Sequence, residues 1–494
     1  MKKTLSLRAA LAPVVALLAA VVTALLTKGS DFVAGHSFIM LLGASAVALV
    51  VSRIYRSADR VSLSKGLRTS ARQTLPAVPI LLLIGTVAAT WMLSGVVPML
   101  IEAGLRYINP PLFLLTACCA CSIISILTGS SWTTIATIGV AFMGIGTLLG
   151  FSPGWIAGAV ISGAYFGDKI SPLSDTTVLA SASSEVNLFT HIRYMLITTI
   201  PSISIALAVF AIAGYLLPLT DADTQSGMTQ ALEATFNLSP WLYVIPLITV
   251  TLIILRVNTL VTLLVSTLLG LVGVFIFQPQ IIDQIASSLS GREFGATMQI
   301  LLTDTAIATG DASLDELVAT GGMKGMLSTI WLILSAMVFG GVMMGTGLLA
   351  RITQSFTALI RNRVSAVSAT AASGLFLNSA TADQYLSIIV GANMYRSLYK
   401  KLGLEGRLLS RTLEDSVSVI SVLIPWNSCG VTQASVLGVA TVTYLPFCIF
   451  NWLSPLMSVA IAITGFRIIQ SRAECGDRVE SPSTGEIAIS TARI

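Results

Sequence analysis

The sequence predicts an all-α, polytopic membrane protein built from two inverted repeats, each holding a re-entrant helical hairpin and a discontinuous transmembrane helix. Three observations predict it. Of 494 residues, 54% are apolar and only 10% are Asp, Glu, Lys or Arg, whereas a soluble domain carries about a quarter charged residues. Long intervals contain no ionisable residue. A pair of polar interruptions in the first half returns, in the same order, in the second. The first observation excludes a cytosolic enzyme, a nucleic-acid binder and a disordered scaffold, because the chain lacks the polar groups to cover a water-facing surface of its size. Apolar residues that face lipid remove that requirement.

The charge-free intervals are 9–27, 74–100, 107–167, 194–220, 234–255, 257–282, 325–350 and 416–466, with 37–52 nearly extending the series. A span needs about 20 apolar residues, so the shorter intervals hold one helix each and the longer ones more. Lys2, Lys3 and Arg8 put the N-terminus in the cytoplasm by the positive-inside rule. Their rival reading as the start of a secretory signal fails, since nothing afterwards resembles a soluble mature protein. Segment 53–72, with Arg53, Arg56, Arg60, Lys65, Arg68 and Arg72, reads as cytoplasmic. The acidic loops 219–233, with Asp221, Asp223 and Glu233, and 283–324 read as outside. Arg351, Arg361 and Arg363 mark a cytoplasmic end, as do Arg396, Lys400, Lys401, Arg407 and Arg411. Six cysteines (Cys118, Cys119, Cys121, Cys429, Cys448 and Cys475) show no metal or redox spacing. The chain is thus expected to be a multi-pass protein of the cell inner membrane with both termini cytoplasmic. Residues 1–494 form one integral membrane domain, with repeats at 74–218 and 325–466 and a cytoplasmic tail at 467–494.

Segment 364–395 has cytoplasmic charge on both flanks yet is too short for two spans. A re-entrant hairpin with the polar tip L-N-S-A-T-A-D at 377–383 resolves this, and non-helical backbone at membrane depth survives only where it is buried in protein or lines a cavity. Segment 110–149 matches it, with arms around T-G-S-S-W-T-T at 128–134. Placing Ser130 on Ser379 gives a separation of 249 residues. The polar runs that follow, G-D-K-I-S-P-L-S-D-T-T at 167–177 and L-I-P-W-N-S-C-G at 423–430, place Pro172 on Pro425 at a separation of 253. Counting crossings enters the first hairpin from outside and the second from the cytoplasm, so the copies are inverted, an architecture of secondary transporters. Close packing by Gly and Ser is the plainer alternative, but it leaves two polar tips at equivalent places unexplained.

The chemistry rests on oxygen. Pro172 opens the first broken helix, and Asp168, Ser171, Ser174, Asp175 and Thr176 with freed carbonyls offer the oxygen ligands that hard cations prefer. Asp168 and Lys169 read equally as a local ion pair. Asp383 is the only ionisable residue between Arg363 and Arg396, an intramembrane carboxylate and so a candidate functional group, with a helix cap as its plainer role. Asn378, Ser379 and Thr381 share its tip. Ser130, Ser131, Thr133 and Thr134 form the first tip, where Trp132 reads as a packing wedge. Asn427 and Ser428 occupy the second break. Glu414 and Asp415 read as caps at the membrane interface. A buried aspartate can hold either a proton or a sodium ion, and at a site that faces alternate sides this competition becomes antiport. Asp168, Asp175 and Asp383 are the candidate sodium-binding set. A channel would need a continuous polar pore, and no H-E-x-x-H or G-x-S-x-G motif suggests a membrane enzyme.

The runs T-I-A-T-I-G-V-A-F-M-G-I-G (134–146), A-G-A-V-I-S-G-A-Y-F-G-D-K-I-S-P-L-S-D-T-T (157–177), T-A-D-Q-Y-L-S-I-I-V (381–390), L-S-R-T-L-E-D-S (409–416) and L-I-P-W-N-S-C-G (423–430) resemble the NhaC-type sodium/proton antiporter family over roughly residues 75–465. The resemblance implies exchange of sodium for protons, with no cofactor beyond those transported ions. It also implies, as the alternative, exchange of a small organic acid or amino acid, as in malate/lactate antiporters, its carboxylate held by tip hydroxyls and helix N-termini. The expected partners are sodium, protons and the lipid bilayer, with no nucleic acid and a homodimer as the candidate assembly.

Overall fold

The computed structural model describes residues 5–468 apart from 221, 256, 289–292, 308, 310–314, 316 and 317. Lys2, Lys3, Asp221, Cys475 and the tail beyond residue 468 lie outside the described residues. Among those described, secondary structure is helical throughout, with one isolated bridge between Thr305 and Thr320. Eight helices are long and apolar enough to cross a membrane, or up to ten if each of two bent pairs is one span. They are Leu7–Lys28, Gly35–Tyr55, Arg60–Leu93, Pro110–Thr128, Ser131–Leu148, Leu188–Leu216, Thr259–Phe277 and Gly322–Gly345. The pairs are Thr229–Thr235 with Pro240–Ile254, bent by 94°, and Thr441–Phe447 with Ile449–Thr464, bent by 56°. Each falls on or beside an interval free of charge, because a backbone in lipid must satisfy its own hydrogen bonds and a helix does so internally.

One charged segment is itself helical. Within 53–72, Asp59 accepts a hydrogen bond from the Ser62 amide at 2.8 Å and starts the helix Arg60–Thr74. That helix packs on Leu327–Gly345, with Gly66 against Gly341 and Gly345, and Ser70 Oγ donating to the Met337 carbonyl at 2.9 Å. Its arginines face outward while its glycine and serine permit the close approach, which is how helices associate where lipid removes the hydrophobic drive.

Four helix interruptions organise the interior. Phe113–Thr128 ends at Gly129, whose φ of +67° is left-handed, and Ser130 caps Ser131–Thr134 through its hydroxyl. A Cβ on Gly129 would stand 2.5 Å from that of Leu173, so both the turn and the space require glycine. The helix Arg363–Thr381 ends in the same way at Ala382, with φ +56°, and Asp383 caps Gln384–Lys401. Pro153–Ile170 breaks before Asp175–Ser183, capped by Ser174, and the segment 406–423 breaks before Ser428–Leu437, capped by Asn427. Gly129 and Ala382 are 253 positions apart, and so are Ser174 and Asn427. Backbone conformation therefore moves the tip pairing from the 249-residue register of Ser130 on Ser379 to 253, the register of Pro172 and Pro425.

Candidate functional site

The first break is shaped by donors and acceptors that its neighbours supply. Ser171 Oγ donates to the Ile126 carbonyl at 2.8 Å, fastening the break to the arm before the first tip. Thr177 Oγ1 donates to the freed Lys169 carbonyl at 2.9 Å, and Ser174 Oγ lies 3.0 Å from Thr176 Oγ1. Asp168 then turns toward the tip, where its Oδ2 accepts from the Ser131 amide at 3.1 Å and hydroxyl at 2.7 Å. Ser131 opens a helix, so this carboxylate also meets the positive end of a helix dipole. Within the tip, Thr134 Oγ1 donates to the Ser130 carbonyl at 2.9 Å and Thr133 Oγ1 to Ser130 Oγ at 3.2 Å.

Part of this set lines a cavity of about 500 Å³, while Ser131, Thr134, Ser171 and Ser174 stay outside its walls. Ser130, Trp132 and Thr133 come from the first tip, Asp168, Asp175 and Thr176 from the first break, and Gln384 and Tyr385 from the start of the helix after the second tip. Asp175 is exposed onto this space and Asp168 is half-buried. Trp132, expected as a packing wedge, both packs on the core and forms part of the wall. Gln384, Tyr385 and Thr259 were not singled out from the sequence, where nothing in their surroundings distinguishes them from packing residues.

The second tip and break are closed on each other. Asn378 Nδ2 donates to the Val417 carbonyl at 2.8 Å, and Asn427 Nδ2 to the carbonyl and side-chain oxygens of Asn378, both at 3.2 Å. The Ser428 amide donates to the Ala382 carbonyl at 2.9 Å, and Trp426 Nε1 to the Ser379 carbonyl at 2.9 Å. Ser379 turns its hydroxyl back to the Leu375 carbonyl of its own helix. Thr381 Oγ1 donates to the Asp383 carbonyl at 2.9 Å. Asp383 is buried and accepts from the Leu386 amide at 2.8 Å, so the structure gives it the capping geometry and leaves it outside the walls of the large cavity.

The structure corrects two readings. Glu414 and Asp415 are no interfacial caps: both are fully buried in the π-turn Glu414–Ser418. Lys169 pairs with Asp415, not with its neighbour Asp168, and also donates to Ser454 Oγ at 2.9 Å. Thr198 Oγ1 adds a bond to Asp415 Oδ1 at 3.1 Å, and Arg411, fully buried, holds its Nε 3.8 Å from Asp415 Oδ2 and its guanidinium 4.7 Å above the Tyr194 ring. The signal was present in the register. At 253 residues' separation, Glu414 and Asp415 fall on Ile161 and Ser162, inside the charge-free interval 107–167 and in the middle of the helix Pro153–Ile170.

Chemically, the cavity offers two carboxylates and several hydroxyls, an oxygen set suited to a hard cation. Among the described residues no three His, Cys, Asp or Glu side chains converge as a metal cluster.

Comparison with known proteins is consistent with this chemistry. The sequence profile of the Na+/H+ antiporter family matches residues 4–178 and 163–466. The Na+/H+ antiporter NhaC of Alkalihalophilus pseudofirmus is 39% identical over 389 residues, covering 79% of this chain and 82% of that protein. NhaC of Bacillus subtilis is 35% identical over 419 residues, 84% of this chain and 90% of its own length. The malate-2H+/Na+-lactate antiporter of the same organism is 34% identical over 391 residues, covering 79% and 80%.

Proposed function

The chain belongs to the Na+/H+ antiporter family, and from that premise we propose that it is a secondary active antiporter exchanging sodium for protons across the cytoplasmic membrane by alternating access. It is a transporter and not an enzyme. Sodium enters the 500 Å³ cavity and is met by the Asp175 carboxylate with oxygens of Ser130, Thr133 and Thr176, while Asp168 stands beside it, tethered to Ser131. Bringing sodium to an acidic cluster and bringing a proton there exclude each other, since either charge removes the need for the other. That exclusion is the coupling.

The regions 74–218 and 325–466 act in this reading as inverted repeats, their hairpins re-entrant and their broken helices facing each other across the bilayer midplane. The common spacing of 253 residues between their tips and between their breaks supports it. The inner membrane is its location, with both termini cytoplasmic and residues 467–494 a tail. Asp383 keeps its tip in shape, and Asn378, Asn427 and Ser428 lock the second half while the first is open.

The observation that carries the proposal is the open acidic cavity between a hairpin tip and a helix break. In proteoliposomes loaded with a pH-sensitive dye, adding sodium is expected to move protons in the wild type, and Asp175→Asn to abolish that movement. Unchanged exchange in the variant removes Asp175 from the mechanism. Proton movement driven by malate or an amino acid and not by sodium would make the cargo organic.

A further inference from the structure

Behind Asp168 lies a second, much smaller cavity. Its walls are Tyr165, Asp168, Lys169, Thr176, Gln384, Glu414, Ser418 and Val419. Asp168, Thr176 and Gln384 also line the large cavity, so they form the partition between the two. Four buried polar atoms on the inner walls lack a hydrogen bond in good geometry: both carboxylate oxygens of Glu414, Tyr165 Oη and Ser418 Oγ. A fully buried carboxylate without a well-formed hydrogen bond is costly unless it is protonated or held by a cation, and the lysine of this wall is bonded to Asp415. The room is about 10 Å³, the lower bound for a single water. A sodium ion with any of its hydration shell does not fit, whereas a proton needs no more than this.

We propose that Glu414 is the proton-holding carboxyl of the exchange, set behind a partition that admits protons and excludes hydrated sodium. This rests on the sodium/proton reading given above and adds a division of labour to it: the cation is held on the Asp175 side and the proton on the Glu414 side. The charged and titratable groups around Glu414 permit the coupling. Asp168, Lys169 and Tyr165 face it from the first broken helix, and Asp175 tops the half-helix packed on the same turn. Arg411 and Asp415 share its own segment, and buried His191, on the long Leu188–Leu216 helix, lies near Lys169. Of the helices packed on this turn from the second half, the wall of the cavity receives Gln384. Lys169 donates to Asp415 and Arg411 stands beside the same carboxylate, so sodium arriving across the partition adds to the positive charge that favours an ionised Glu414. As sodium binds, the O–H bond of Glu414 breaks, the proton passes to the Asp168 carboxylate and from there to the solvent of the large cavity. When sodium leaves, the proton returns by the same path, and one positive charge has replaced another.

The test compares wild type and Glu414→Gln, using sodium chloride as the probe, in sodium-binding isotherms from pH 6 to 9 and in dye-loaded proteoliposomes. The wild type is expected to bind sodium more weakly as pH falls. The glutamine variant is expected to bind sodium with an affinity that no longer changes with pH, and to release no protons on sodium addition. Sodium binding that keeps its pH dependence in Glu414→Gln overturns the assignment and leaves sodium/proton exchange intact. A wild type that moves no protons on sodium addition overturns both, and is recognised without any variant. Glu414→Asp keeps a carboxyl and guards against misfolding of the glutamine form. It is expected to exchange with a displaced pH midpoint, and an unchanged midpoint also overturns the proposal.

Discussion

Lys169 shows how one residue shapes the site without touching the cargo. A lysine in an apolar bundle persists only if its charge is answered, and the Asp415 carboxylate does so from the other half of the chain. The bond draws Lys169 inward while Asp168, one residue earlier, points at Ser131 and the cavity. Asp415 answers two cations, since Arg411 Nε stands 3.8 Å from its second oxygen. Breaking a buried pair costs about 3–5 kcal/mol because the remaining charge is stranded. Lys169→Met leaves Asp415 with Arg411 and should sit at the lower end of that range. Asp415→Asn strands both cations and should cost more. Thermal unfolding of the purified variants in detergent tests this, and the reverse order would contradict it.

At the scale of elements, the two tips perform the same turn with different residues. Gly129 takes the left-handed conformation freely, while Ala382 adopts it at φ +56°, where a side chain costs about 1–2 kcal/mol. Gly129→Ala adds both that strain and a Cβ 2.5 Å from Leu173 Cβ, so it should lower the unfolding temperature and impair exchange. Ala382→Gly relieves strain and should leave stability equal or higher. A stable Gly129→Ala protein would show that the tip tolerates another backbone path. The apolar spans and the helix interruptions were legible in the sequence, though the second turn falls at Ala382 and not at Ser379, because charge-free length and the positions of Pro, Ser and Asp are local signals. The partners were not. Nothing near Lys169 names Asp415, 246 positions away, and Glu414 was read as interfacial because basic residues precede it, although the 253-residue register already placed it at mid-helix. The helix Arg60–Thr74 was hidden by its arginines, which report where the water is and not whether the backbone is coiled.

Across the whole molecule, the halves are joined at a surface as well as in the core. Glu185, in the connection after the first half-helix, bonds Arg396 at 2.9 Å and Lys400 at 3.0 Å on the helix after the second tip. Lys400 and then Arg396 hold its carboxyl below the ordinary carboxylate range. A lowered value means that the contribution to stability is complete above the ordinary carboxylate range and is lost as pH falls through the lowered one. Glu185→Gln should therefore reduce thermal stability slightly at pH 7 in low salt. The difference from wild type should shrink in 1 M salt and vanish at strongly acidic pH, and a difference that survives both conditions would point to packing. The common register has a mechanical consequence. From Gly129 to Ser174 and from Ala382 to Asn427 the chain runs 45 residues, so each half carries a ruler of one length between turn and cap. Lengthening the connection at 149–152 by a residue adds slack that a loop absorbs. The same insertion inside Pro153–Ile170 would swing the Asp168 carboxylate about 100° around its axis, away from Ser131 and into the packed interior that surrounds this helix. Evolution can thus lengthen this protein at its rims far more freely than along its gauge.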